Sequence, residues 1–164
     1  MMYSHQLITG VSFGLTSGVI TTLGMIVGLY SATSSKLAVV AAIIVMAIAG
    51  GLADAVGLHM AEETEIEGGD AKHTQKEVWF TTLFTFLSDA GSILTFAVPV
   101  LLFPLKSAVF VAGLWGIFLL TASNFYVAKV KSEDPVKLVI NHLLLAFCVV
   151  IISYWIGALI PQLF

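Results

Sequence analysis

The sequence predicts an all-α membrane protein with five transmembrane helices in one domain, residues 1–164. Hydrophobic residues make up 59% of the chain and charged residues 10%, with a mean hydropathy of +1.02. An ordinary soluble domain carries roughly 25% charged residues. Five apolar runs, at about 7–30, 37–60, 78–103, 107–128 and 137–160, each reach the roughly 20 residues that ~30 Å of hydrocarbon demands. Stretches such as "LAVVAAIIVMAIAG" and "LLLAFCVVII" are continuous, whereas a transmembrane barrel needs short alternating segments.

The first run, 7–30, has no basic leader and is too long for a cleaved signal peptide, so it is expected to remain as the first helix. It places Gly10, Gly14 and Gly18 one turn apart, and Gly24 and Gly28 repeat the spacing on a nearby face. In lipid, where little hydrophobic force acts between helices, such small-xxx-small stripes allow close backbone contact. Spacing alone leaves three roles open for the stripe: contact within the bundle, a seam with a second copy, or a substrate path with Thr16, Ser17, Thr21 and Thr22.

"SATSSK" turns the chain into the second run, which is expected to continue past the bilayer as an acidic extension until Gly68-Gly69 stops it. The acidic segment 61–77 then leads into the third run, which ends at Pro104 in "FPLKS". "VKSEDP" separates the fourth run from the fifth, with Pro135 suited to a first helical position. Cys148 is the single cysteine, so no intramolecular disulfide is possible.

Orientation follows from lysine, because the chain has no arginine. Five spans put Lys72, Lys76, Lys129, Lys131 and Lys137 on one side and Lys36 and Lys106 on the other. The positive-inside rule therefore predicts a cytoplasmic N-terminus and a C-terminus outside. The net charge of −3 does not disturb this, since acidic residues contribute little to orientation.

Ionisable groups within apolar runs are the main functional signal. Asp54 lies in "GGLADAVGLHM" and Asp89 in "FTFLSDAGSIL". Counted from Val78 at ~1.5 Å per residue, Asp89 is about 16 Å deep, near the midplane. A charge there costs ~2.5–3.5 kcal/mol on insertion scales, so it faces a partner or a wet cavity. His59, Glu62 and Glu63 follow Asp54 at i, i+3, i+4 spacing. Imidazole and carboxylate together suit Fe²⁺, Mn²⁺, Co²⁺ or Zn²⁺. The plainer account is a solvated helix end for these residues and a hydrogen-bonded acid for Asp89. Asn124, Asn141 and His142 are expected to complete a vestibule above Asp89, with Thr16 also on the pathway; the plainer account of Asn124 and of His142 is an interhelical hydrogen bond. No nucleophile with a base, phosphate loop or zinc-protease helix is present, so no enzyme is expected.

"GVSFGLTSGVITTLGMIVGL", "AIAGGLADAVGLHMAEETE" and "FLSDAGSILTFAVPVLLFP", followed by two further spans, resemble the vacuolar iron transporter family. The likeness covers most of the chain. It implies a five-helix homodimer that exchanges Fe²⁺ or Mn²⁺ for protons, with the N-terminus cytoplasmic, as the lysine count independently predicts. The metal would be transported substrate, with no permanently bound cofactor. The partners implied are the lipid bilayer, a second copy and the metal, with no nucleic acid. The chain departs from the family in carrying Phe13 where the family has an aspartate before Gly-Leu. Asp54 stands in place of the family's methionine, and the glutamate-rich cytoplasmic domain is reduced to 61–77. The expected metal path is Asp54 and Asp89, with His59, Glu62 and Glu63 at its mouth. The alternative is a helix-bundle dimer or small-solute carrier without metal transport.

Overall fold

The computed structural model describes residues 4–67 and 70–163. Its elements are α1 (Ser4–Thr33), α2 (Lys36–Thr64), β1 (Ile66–Glu67), β2 (Asp70–Ala71), α3 (Gln75–Thr95), α4 (Ala97–Leu102), α5 (Leu105–Lys131) and α6 (Pro135–Leu163). Among the described residues five spans, with α3 and α4 forming one of them, are long and apolar enough to cross a bilayer, so the protein is a multi-pass integral membrane protein. Every predicted span is present, each somewhat longer than its apolar run.

Local chemistry sets the helix ends. Ser34, in the left-handed region at φ 48°, turns the chain between α1 and α2. Ser35 Oγ then accepts from the Ala38 amide as the α2 N-cap. Lys36 Nζ donates to the Leu101 and Phe103 carbonyls at 2.9 and 3.2 Å, tying the start of α2 to the end of α4. Thr74 and Glu77 cap α3 reciprocally in a capping box. α5 ends on left-handed Ser132, with the Glu133 amide donating to Ala128 O as in a Schellman motif. α6 starts at Pro135, as expected, with Asp134 Oδ1 accepting from the Val136 amide.

One boundary expectation is corrected. α2 stops at Thr64, where Glu65 turns extended and a two-residue antiparallel ladder pairs Ile66 with Ala71; Gly68-Gly69 lies outside the described residues. The third run is broken between Thr95 and Ala97. Pro99 cannot donate to the Thr95 carbonyl and its ring crowds that oxygen, so the chain tightens at Phe96, whose amide bonds Ile93 O at 3.1 Å.

α1 is the hub. It packs on α2 and α3 to one side and on α5 and α6 to the other. Its span is 44% buried, whereas that of α6 is 11% buried and turns most of its side chains outward. The apolar core joins Val19, Leu23 and Ile26 of α1 to Val39 and Ile43 of α2, Ile93 of α3, Phe96 at the break, and Ala108 and Ala112 of α5.

Both glycine stripes of α1 are used inside the chain. A Cβ at Gly10 would lie 2.6 Å from the Thr81 carbonyl, and Cβ atoms at Gly14 and Gly18 would strike Ser88, Thr85 and Asp89. The 10–14–18 stripe therefore seats α3, which removes the seam and substrate-path alternatives for it. Gly24 and Gly28 seat α6 through Ser153, and Gly157 of α6 lies against the Gly28 carbonyl.

Candidate functional site

Asp89 lies midway along the 28-residue span Gln75–Leu102, 1% exposed, where α1, α2 and α3 meet. Glycine on both neighbours makes room for it. A Cβ at Gly18 would come 2.5 Å from Asp89 Oδ1, and one at Gly51 of α2 would come 3.1 Å from Oδ2. The carboxyl group thus fills the space left by two missing side chains. Neither of its oxygens has a hydrogen-bond partner among the described residues. Asp54 is one turn from Gly51 on α2 and half-buried.

The rest of the α3 face toward α1 is a column of hydroxyls. Thr81, Thr85, Ser88 and Ser92 recur at three- and four-residue intervals, and Thr81, Thr85 and Ser92 are buried. Their protons are used locally: Thr85 Oγ1 donates to Thr81 O at 2.8 Å and Ser92 Oγ to Asp89 O at 2.8 Å. Ser88 Oγ lies 3.1 Å from Thr85 O and 3.2 Å from Gly10 O on α1. Neither this column nor Gly51 stands out in the sequence alone. The hydroxyl spacing was visible there, but which helix the column would face was not.

The mouth residues divide into two sets. His59 Nε2 is 3.9 Å from Glu63 Oε2, and its Nδ1 meets Thr82 Oγ1 at 2.8 Å. Since the Thr82 hydroxyl donates to Val78 O, His59 Nδ1 is the donor in that contact. Glu62 is instead 8% exposed and faces His73 Nε2 at 3.6 Å, while His73 also bonds Glu65 at 3.1 Å. Bonding from Lys72, then from His73, lowers the Glu65 carboxyl below its ordinary range. Helical geometry separates the neighbouring glutamates by ~100°, so they meet different partners. Among the described residues, no three His, Cys, Asp or Glu side chains converge as a metal site.

The expected vestibule above Asp89 is corrected. Thr16, Asn124 and His142 do come together, but in a groove between α1, α5 and α6. Thr16 is two residues from both Gly14 and Gly18, about 200° around the helix, so it faces away from α3. Phe13 is in the same groove, partly exposed. Asn141 is exposed and does not line it.

No protein-family model and no curated protein sequence matches the chain.

Proposed function

We propose that this protein exports a divalent metal ion, Fe²⁺ or Mn²⁺, from the cytoplasm in exchange for protons, as the resemblance to vacuolar iron transporters implies. The observation that carries the reading is Asp89: a carboxyl group at mid-span, buried, with neither oxygen bonded among the described residues, and with Asp54 one turn along α2 from the Gly51 that it packs against. A structural acid is normally satisfied by its neighbours. One with both oxygens open is suited to a transient ligand.

Oxygen donors accept Mn²⁺ and Fe²⁺, and a carboxylate holds either a metal or a proton, each lowering the affinity for the other. In this scheme Asp54 and Asp89 receive the ion and release protons, and reloading with protons from the far side expels it. Glu62, Glu63 and His59, at the end of α2, concentrate cations at the mouth by their field. That end also gathers Lys72, Lys76, Lys129, Lys131 and Lys137, so it is assigned to the cytoplasm. The functional unit is a homodimer, in keeping with the family likeness.

The absence of a three-ligand group among the described residues favours a second reading, a helix bundle in which Asp89 is a permanently protonated acid. Flux separates the two. Protein in liposomes with an imposed pH gradient should move Mn²⁺ or Fe²⁺ against proton flow, and Asp89→Asn should abolish the flux while leaving the thermal midpoint within a few degrees. Wild-type liposomes that pass neither metal would overturn the transport reading. Single cysteines at Ser132 and Ser34, in a Cys148→Ala background, should label from opposite sides, Ser132 from the cytoplasm.

A further inference from the structure

Thr22 of α1 is fully buried, and its hydroxyl oxygen has no hydrogen-bond partner among the described residues. A threonine inside a helix has a ready acceptor in the carbonyl four residues earlier. Thr81, Thr82 and Thr85 of α3 use it at 3.1, 2.7 and 2.8 Å, and Thr21, beside Thr22, reaches Ser17 O at 2.8 Å. Thr22 does not, although hydrocarbon offers a hydroxyl nothing in exchange.

Its place in the bundle gives the open hydroxyl a use. Helical side chains lean toward the N-terminus, so Thr22 lies over the turn that begins at Gly18. The space left by the missing Gly18 side chain is bordered by Asp89 Oδ1 and Ser92 Oγ, both of which a Cβ there would strike. Ser92 is buried and gives its proton to Asp89 O at 2.8 Å, so its lone pairs remain available.

The three levels of this region are ordered along the membrane normal. Gly10, Gly14 and Gly18 meet Thr81, Thr85 and Asp89 in the same order, so α1 and α3 run in one direction. Thr22 and Ser92 are therefore each one turn beyond the Gly18–Asp89 level, on the side away from the acidic segment. α2 runs the other way, with its Lys36 end at Leu101 and its His59 end at Thr82, which puts Asp54 one turn on the near side.

We propose that Thr22 Oγ1 and Ser92 Oγ form the outer half of the Asp89 site, as oxygen ligands that take up the divalent ion on its way from Asp54 and Asp89 to the far side. The assignment rests on the transport reading and adds its exit step. Hydroxyls beside a carboxylate are a hard, oxygen-only set, which suits Mn²⁺. Affinity at such sites rises with the number of charged ligands, so a neutral pair past Asp89 holds the ion loosely enough to release it.

Thr22→Val keeps the branched shape and removes the hydroxyl, whereas Thr22→Ser keeps the hydroxyl. In detergent-purified protein, Mn²⁺ binding read from the electron paramagnetic resonance of the free ion should weaken about tenfold in Thr22→Val, the scale of one lost interaction with a charged group. Ser92→Ala should weaken it similarly, and Thr22→Ser should keep most of the affinity. The metal-free thermal midpoint of Thr22→Val should match or exceed that of wild type, since an unpaired buried hydroxyl is gone. Unchanged affinity in Thr22→Val, beside a wild type that binds and transports Mn²⁺, would overturn the proposal and leave the transport reading standing. So would a lowered metal-free midpoint in Thr22→Val, or an affinity loss that Thr22→Ser shares in full, either of which makes Thr22 a packing residue. Wild-type protein that neither binds nor passes Mn²⁺ would overturn both.

Discussion

α1 uses the same device on two sides, with opposite results. Toward α6, Gly28 and Gly157 bring backbone to within contact of backbone, Gly24 faces the Val149 and Ser153 side chains, and Ser31 Oγ donates to the Tyr154 carbonyl at 3.0 Å across the gap. Toward α3, Gly10, Gly14 and Gly18 lie equally close to backbone, at Thr81, Thr85 and Asp89, but Gly14 and Gly18 also make room for polar side chains, the hydroxyls of Ser88 and Ser92 and the carboxyl of Asp89. The first interface is a structural clamp. The second adds to the same close approach a polar seam in the middle of the bilayer, and neither side-chain oxygen of Asp89 has a partner among the described residues. Glycine in a membrane helix thus marks a close neighbour without saying whether the neighbour is inert.

The largest expected effect comes from filling either interface. Gly14→Leu and Gly157→Leu both drive a side chain into backbone, the Thr85 and Gly28 carbonyls respectively, with no flexible group able to yield. Each should cost about 3 kcal/mol or more and show as lost folded yield in detergent. Unchanged yield for either would mean that its stripe is not a helix seat.

Next in size is a change of function with little change of fold. Asp89→Asn keeps the volume between Gly18 and Gly51 but removes the exchangeable charge, so metal flux should fall at least tenfold while the bundle melts near the wild-type temperature. Retained flux would remove Asp89 from the mechanism and leave the α3 seam as structural as the α6 one.

Gly51→Ala sharpens the contrast further. Its Cβ would sit 3.1 Å from Asp89 Oδ2 and 3.3 Å from the Phe86 ring, close enough to displace the carboxyl by a few tenths of an ångström. A stability loss of about 1 kcal/mol or less is expected, together with an altered apparent metal affinity in the flux assay. Altered stability with unaltered affinity would separate Gly51 from the site.

The smallest effect lies outside the bilayer. Glu65 titrates below its ordinary range because Lys72 and His73 bond its ionised form. That pairing therefore contributes stability above the free carboxylate range and loses it as pH falls through the lowered value. Hydrogen exchange at the Lys72 amide, which donates to Glu65 O at 3.0 Å, should show protection at neutral pH that falls on acidification below the ordinary glutamate range. Replacing Glu62 and Glu63 by Gln should weaken apparent metal affinity without abolishing flux, since these groups act at the mouth.

Span number and position were legible in the sequence because the bilayer imposes one requirement everywhere: a run of apolar residues long enough to cross, with every backbone group satisfied within its own helix. The same one-dimensional logic exposed Asp89 as an anomaly and the glycines as a stripe. It did not reveal the break at Phe96, because Pro99 acts on a carbonyl four residues earlier, inside a run that composition reads as unbroken. Nor did it separate Glu62 from Glu63, whose partners are set by a ladder that brings His73 back to α2.

What the sequence determined alone was therefore periodic and local: length, polarity and spacing along each helix. Which helices meet was decided only by the tertiary structure. It set Gly18 and Gly51 from different helices around Asp89, and it turned Thr16, Asn124 and His142 to the opposite side of α1. The physical reason is that a helix's pattern states how many faces it has and what each carries, while its partners are chosen by the fit between faces distant in sequence, a fit that no single helix contains.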